Sequence, residues 1–353
     1  MSKIENGFSP AFLTDYDLEP IVPVKKFTGG ISNDVYLIET LDRKYVYKKY
    51  RYTTPRIQDQ QRFLQFLETH SFPVPHIVPK NTNHELLSSD TGLLYEFIDG
   101  YCPSEPNVLT DNQLREAGHT LGIYHSLVDN QSTQLSEQKL PSVRVNPEDL
   151  FAQRVNPEHY FSQTDAIALW NNVQTKIMGK QLLDYIDEQV VQVAPAMLHT
   201  LGTVDSNEVN ELVRMNPRIF GHGDYQGTNL IFGPTDINAV IDWDMRGMLS
   251  KSWEVLYAVT VMCKVRNTEN FNTPLDLQRA KIFLDAYREK HELTDREIEA
   301  MPLMAYTASL ATPYLLQAHY LKGNSALDGF FPQHIDDWFW WQNNYQRFSE
   351  VIK

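Results

Sequence analysis

The chain has 353 residues, enough for one large domain or two moderate ones, and its 42% apolar and 22% charged content excludes wholesale disorder. A net charge of −14 argues against nucleic acid or an anionic membrane as the main partner. The N-terminus MSKIENGFSP lacks the apolar run of a secretory signal, the longest apolar stretch is too short to cross a bilayer, and Cys102 and Cys263 stand in no metal-like spacing, which fits a cytoplasmic protein without disulfides.

Along the chain, Val35–Glu39 and Lys44–Lys48 are β-rich runs separated by Thr40–Arg43, the pattern of a hairpin. Thr54-Pro55 opens a helix over about 56–69, with Ile57, Phe63, Leu64 and Leu67 on one stripe, and Pro73-Val74-Pro75 ends it. Leu86-Leu87 with Gly92–Phe97 predicts another hairpin. A turn-rich link at Ile98–Pro103 places a boundary between residues 1–99 and 100–353. The remainder reads as mainly helical, from a capping box at Thr110–Gln113 through stripes near 181–194, 253–265, 275–291, 295–320 and 334–351. Residues 129–165 read as a polar, proline-containing surface excursion. Charge follows the same division: residues 1–100 hold 11 Lys and Arg against 13 Asp and Glu, and residues 101–353 hold 20 against 32. An acidic surface of this kind usually serves solubility; a cleft that draws a cationic ligand is the alternative.

One break in the helical region matters. Phe220–Asp224 leads through a loop to Asn229–Phe232, and the turn Gly233–Asp236 leads to a second apolar run, Ile237–Asp242. Two short strands joined by a tight turn place Asn229 and Asp242 at one end of a hairpin, with Asp224 on the loop that enters it. Phosphoryl transfer needs the triphosphate neutralised, the hydroxyl aligned and its proton taken. Magnesium prefers hard oxygen ligands, which Asn229 and Asp242 supply, and Asp224 is placed to take the proton. Singly, each residue reads as an ordinary turn or cap former. Together, in this order and spacing, they point to catalysis.

The run His222–Asn229 followed by Val240–Asp244 resembles the H-G-D-x-x-x-x-N and I-D-W signature of the aminoglycoside phosphotransferase and choline kinase superfamily. The resemblance covers nearly the whole chain and has a loose affinity to type II homoserine kinases. It implies an α+β, protein-kinase-like two-lobe fold, with a small antiparallel-sheet N-lobe carrying one main helix and a larger, mainly helical C-lobe. It further implies a nucleotide-covering hairpin at Thr28–Tyr36, in which Gly29, Gly30, Ser32 and Asn33 approach the phosphates, and a phosphate-binding Lys48. Lys48 and Lys49 point to opposite faces of a strand, so only one faces the cleft, and the resemblance selects Lys48. Adenine would be bound by the backbone of Glu96 and Ile98. The cofactors implied are ATP and Mg2+, with Asp224 as base and Asn229 and Asp242 on the metal. The partner is a small-molecule hydroxyl compound, and the protein is a monomer or homodimer without nucleic acid or membrane partners.

The sequence departs from that pattern at one place. Counting back from Pro75, the position of the family's helix glutamate, which pairs with the lysine, is Gln60; Asp59 or Glu68 are the nearby substitutes. The leading expectation is therefore an active kinase of an amino-sugar, amino alcohol or homoserine-like acceptor. The alternative is a weak or inactive nucleotide-binding protein of the same fold. A carboxylate on the acceptor would call for Arg246 or Arg154. The run Trp338–Trp341 is either a packed helix face or an aromatic cage for a quaternary amine.

Overall fold

The elements begin with α1 (Pro10–Tyr16) and the strands β1 (Lys25–Lys26), β2 (Asp34–Glu39) and β3 (Lys44–Lys49), followed by α2 (Thr54–Thr69) and β4 (Gly92–Glu96). They are seen in a computed structural model that describes residues 10–27, 33–51, 54–81, 91–105, 108–130, 162–264, 275–311 and 313–353. The four strands form one antiparallel sheet in sequence order. Alternation along β2 and β3 buries Tyr36, Ile38 and Tyr47 on one face, where they pack with Tyr16, Val24 and Leu94. Lys48 follows Tyr47 and lies in register with Val35 on one side and Leu93 on the other. The stripe expected on α2 is buried at Ile57, Phe63, Leu64 and Leu67, and Gln60 lies within it, 2% exposed.

The chain falls into two compact units. The first takes the described residues of 1–103 and also 228–244; the second takes those of 104–130, 142–227 and 245–353. In the first, β6 (Leu230–Phe232) and β7 (Ile237–Val240) form the expected hairpin, and Tyr101 exchanges backbone hydrogen bonds of 2.8 Å with Phe232.

The second unit contains α3 (Asp111–Asn130), α4 (Gln163–Met178), α5 (Tyr185–Leu201), α6 (Ser206–Arg214) and β5 (Arg218–Gly221), then β8 (Gly247–Ser250), α7 (Lys251–Met262), α8 (Leu277–Arg288), α9 (Asp295–Ala311), α10 (Pro313–Leu316) and α11 (Phe331–Ile352). Of all the elements, α1, β1, α4, α6, β5 and β8 were not anticipated from the sequence. The helix expected over 295–320 ends α-helically at residue 316 and closes in a π turn, Gln317–Leu321. Trp170, Val173, Val190, Met197, Leu316 and Trp338 share one core. Helix α3 packs on α8 so closely that a Cβ on Gly118 would stand 2.2 Å from the Phe283 carbonyl oxygen. The aromatic run splits: Trp338 and Trp341 are buried while Phe339 is exposed, as a packed helix face requires, so the four do not form one cage. Among the described residues, no helix is long and apolar enough to cross a membrane. Leu86, Leu87 and most of 129–165 lie outside the described residues.

Candidate active site

In the second unit, the loop after β5 carries Asp224. Strand β5 is pinned by its pairing with β8 and by the Tyr124 hydroxyl, which donates to the Phe220 carbonyl oxygen. Gly223 follows with φ +81, and a Cβ there would lie 2.2 Å from the Met245 carbonyl oxygen, so only glycine fits. The Gly223 N–H donates to Glu254 Oε1 at 2.9 Å. The other Glu254 oxygen lies 2.6 Å from His125 Nε2, and His125 Nδ1 lies 2.7 Å from the Tyr287 hydroxyl. Burial pushes the Glu254 carboxyl up; the bond and charge of His125, with the Gly223 N–H, more than reverse this and hold it below the usual carboxylate range. Burial also keeps Tyr287 protonated, and its hydroxyl closes the chain Gly223–Glu254–His125–Tyr287. Tyr225, fully buried, donates to the Ala117 carbonyl at 2.9 Å and ties the loop to α3.

Asp224 itself is held from several sides. Its N–H donates to His222 Nδ1 at 3.2 Å. Gln226 Nε2 lies 3.0 Å from both carboxylate oxygens, and the Tyr257 hydroxyl of α7 donates to Oδ1 at 2.6 Å.

In the first unit, the β6–β7 hairpin brings Asn229 and Asp242 to one end, where the Ile241 N–H donates to the Asn229 carbonyl at 2.9 Å. Asp242 has φ +64, a left-handed conformation that aspartate tolerates better than most residues. Trp243 anchors the following turn. It is buried, its ring meets Phe63 and Phe72 edge-on at 5.5 and 6.1 Å, and its Nε1 donates to the Val240 carbonyl at 2.9 Å. Lys48 Nζ lies 2.7 Å from Asp242 Oδ1 and 2.9 Å from Asp244 Oδ2. Asn33 Nδ2 also donates to Asp244 Oδ2, and Arg56 donates to the Asp244 carbonyl at 2.8 Å. Burial pulls the Lys48 ammonium toward neutrality, but Asp244 and Asp242 outweigh it and raise its pKa above the usual lysine value. Gln60 Nε2 donates to the Tyr50 hydroxyl at 3.2 Å, which lies 2.6 Å from that of Tyr95. The Tyr50 ring lies 5.3 Å from Lys48 Nζ.

The structure thus brings together Asn33, Lys48 and Asp242, with Asn229 on the same hairpin. Gly29, Gly30 and Ser32 lie outside the described residues. Glu96 pairs with Arg43 at 3.1 Å and gives its N–H to His76, so a backbone contact from it to a base runs through its carbonyl oxygen. Ile98 is half-buried just beyond β4. Arg246 is buried, and Arg154 lies outside the described residues. Sequence reasoning assigned no role to Asp244, Arg56 or Tyr257. For Asp244, the signal was its place two residues after Asp242; the others come from distant segments.

Comparison with known proteins supplies the family. The profile described as the phosphotransferase enzyme family matches residues 23–292. The chain belongs to this family. It is accordingly a small-molecule kinase, a phosphotransferase with an alcohol group as acceptor. It is 23% identical over 306 residues to a homoserine kinase of Caulobacter sp. (strain K31), covering 85% of this chain and 82% of that one. An aminoglycoside phosphotransferase of Alicyclobacillus acidocaldarius subsp. acidocaldarius DSM 446 matches with a TM-score of 0.60 at 13% identity, over 98% of both chains. A spectinomycin phosphotransferase solved with ADP and spectinomycin matches with a TM-score of 0.58 at 14% identity, over 97% of this chain and 95% of that one. These likenesses give the family member its α+β, protein-kinase-like two-lobe fold.

Proposed function

We propose that this phosphotransferase moves the γ-phosphoryl group of ATP to a hydroxyl of a small amino-bearing molecule, such as an amino-sugar, an amino alcohol or a homoserine-like compound. The observation that carries the reading is Lys48 held between the carboxylates of Asp242 and Asp244 on a framework of sheet and hairpin. A fixed ammonium suits phosphate oxygens. The oxygens of Asn229, Asp242 and Asp244 are hard donors of the kind magnesium takes, and the two aspartates already hold one cation. They fit the metal and would hold it. When bound, magnesium supplies charge neutralisation to the phosphates.

In this reading, Asp224 aligns the acceptor hydroxyl and takes its proton while the new oxygen–phosphorus bond forms and ADP leaves. Lys48 orients the phosphates, Glu96 and Ile98 offer backbone groups to the base, and Gly29, Gly30, Ser32 and Asn33 line the phosphates. The names of the relatives support an amine on the acceptor: homoserine for one, aminoglycosides for another. Gln60 favours a second reading, a nucleotide-binding protein without turnover, because the lysine lacks its helix carboxylate.

One experiment separates the two. ATP consumption is measured over a panel of amino-sugars, amino alcohols and homoserine, with Asp224→Asn as the control. The kinase reading predicts turnover of at least one compound and a fall of about 10²–10⁴-fold in the variant, with nucleotide affinity kept. Tight ATP binding without turnover of any acceptor points to the second reading.

A further inference from the structure

Asp224 is the one group in the proposed mechanism that must be ionised, aimed and accessible at once. A carboxylate on a loop has two equivalent oxygens and a broad torsion about its last bond, so an unrestrained Asp224 would present either oxygen over a range of angles. Loss of such alignment is costly, because transfer depends on near-attack geometry. The loop backbone is well fixed by Gly223, Glu254 and Tyr225, but these contacts end at the Asp224 main chain. The carboxylate is held by Gln226 and Tyr257.

These two do different things. Gln226 offers one amide nitrogen equidistant from both oxygens, at 3.0 Å each, so it fixes the carboxylate plane without choosing between them. The Tyr257 hydroxyl reaches Oδ1 at 2.6 Å, the distance of a charge-assisted O–H···O⁻ bond. It marks Oδ1 as the oxygen tied to α7. Tyr257 sits one turn beyond Glu254 on α7, so one helix holds both the loop backbone and the carboxylate. Within this unit, the titratable groups that face Asp224 include Tyr257 on α7, His222 on its own loop, and Glu254 behind Gly223.

We propose that Tyr257 is a positioning residue for the phosphoryl transfer: by donating to Asp224 Oδ1 it holds the carboxylate in one orientation for the acceptor hydroxyl. This rests on Asp224 being the base. A donor to the ionised form lowers the pKa of a carboxyl group, so removing it raises that pKa. The base works only when deprotonated, and the acid limb of the pH profile therefore moves up when the donor is lost.

The test is Tyr257→Phe, with Tyr257→Leu as a second donor-free variant; either that folds decides the matter. The variant should lower kcat by about tenfold, leave KM for ATP within about twofold, and move the acid limb of kcat/KM up by roughly one pH unit. The ¹³C carboxyl resonance of Asp224, assigned with Asp224→Asn, should titrate higher by the same amount without any substrate present. A fall in kcat with both titrations unmoved would overturn the proposal and leave Tyr257 a packing residue. Should Asp224→Asn retain turnover, the base assignment fails instead, whatever Tyr257 does.

Discussion

Lys48 carries its charge into surroundings where burial alone would strip it, and keeps it because Asp244 and Asp242 stand within 3 Å. Among the described residues, the carboxylates that pair with it are Asp242 and Asp244, neither of them on α2. Gln60 occupies the expected place on the buried stripe of α2, but its amide goes to Tyr50, which presents a ring face to the ammonium. Lys48→Met should therefore raise KM for ATP by at least about tenfold and leave KM for the acceptor unchanged. It also leaves two carboxylates without their shared cation. Because Asp242 is half exposed, solvent screens much of the effect, and the stability loss seen in urea unfolding should be about 1 kcal/mol. At this scale the sequence was legible in placement: the hairpin that carries Asn229 and Asp242 forms, and Lys48 lies against Asp242. The missing glutamate at Gln60 was also legible, by counting. What replaces it was not, since Tyr50 and Tyr95 meet only through the pairing of β3 with β4 and the packing of α2. Tyr257 was hidden for a related reason: it lies 33 positions from Asp224 and reads as one more apolar residue on a helical stripe.

Helix α7 shows how one element serves loop and core together. Ser250 caps it, accepting from the Trp253 N–H at 3.4 Å, and Lys251, Glu254 and Tyr257 follow at three-residue intervals. Lys251 Nζ lies 2.9 Å from Glu297 Oε1, 3.0 Å from the Glu292 carbonyl and 3.3 Å from His291 Nε2, tying α7 to the link between α8 and α9. The ammonium needs a lone pair from His291, so the ring is held neutral; burial first, then Lys251 and His125, pull its pKa from 6.5 to about 4. The unfolded chain thus binds a proton on this ring between pH 6.5 and about 4 that the folded chain refuses. This contribution to stability is complete above pH 6.5 and is lost as pH falls to about 4. In His291→Gln, the decline in unfolding free energy across that window should shrink by about 2 kcal/mol, a value discounted for solvent reaching the ring. An unchanged slope in urea titrations would show that His291 is not the source. Helix periodicity served well for α3, α5, α8 and α11, whose apolar stripes are long. It failed for α4, where Trp170, Val173 and Ile177 carry a stripe of their own behind a polar, proline-containing stretch. The strands β5 and β8 are four residues each, too short for alternation to register.

Across the whole molecule the net charge of −14 is carried almost entirely by residues 101–353, which hold 12 more acids than bases. Composition made that surplus legible, but not its purpose, because the sequence does not say which carboxylates end in ion pairs. The structure removes some from consideration: Asp187 is buried on Lys180, Glu297 on Lys251, and Glu254 on His125. Many remain on the surface, where their summed field acts over about one Debye length, roughly 10 Å at 0.1 M salt. If that field gathers a cationic acceptor, the rate of encounter must fall as salt shortens its reach. An amino-sugar carrying several ammonium groups should lose about three- to tenfold in kcat/KM between 50 mM and 500 mM potassium chloride. Homoserine, whose carboxylate cancels its ammonium, should change by less than about twofold under the same conditions. The comparison uses one enzyme, one nucleotide and two acceptors, so effects of salt on ATP binding cancel in the ratio. A steep fall for the polycation alone assigns the acidic surplus to substrate capture. Equal, shallow slopes for both acceptors assign it to solubility, and the acceptor is then recognised by contacts at short range rather than by the field of the molecule.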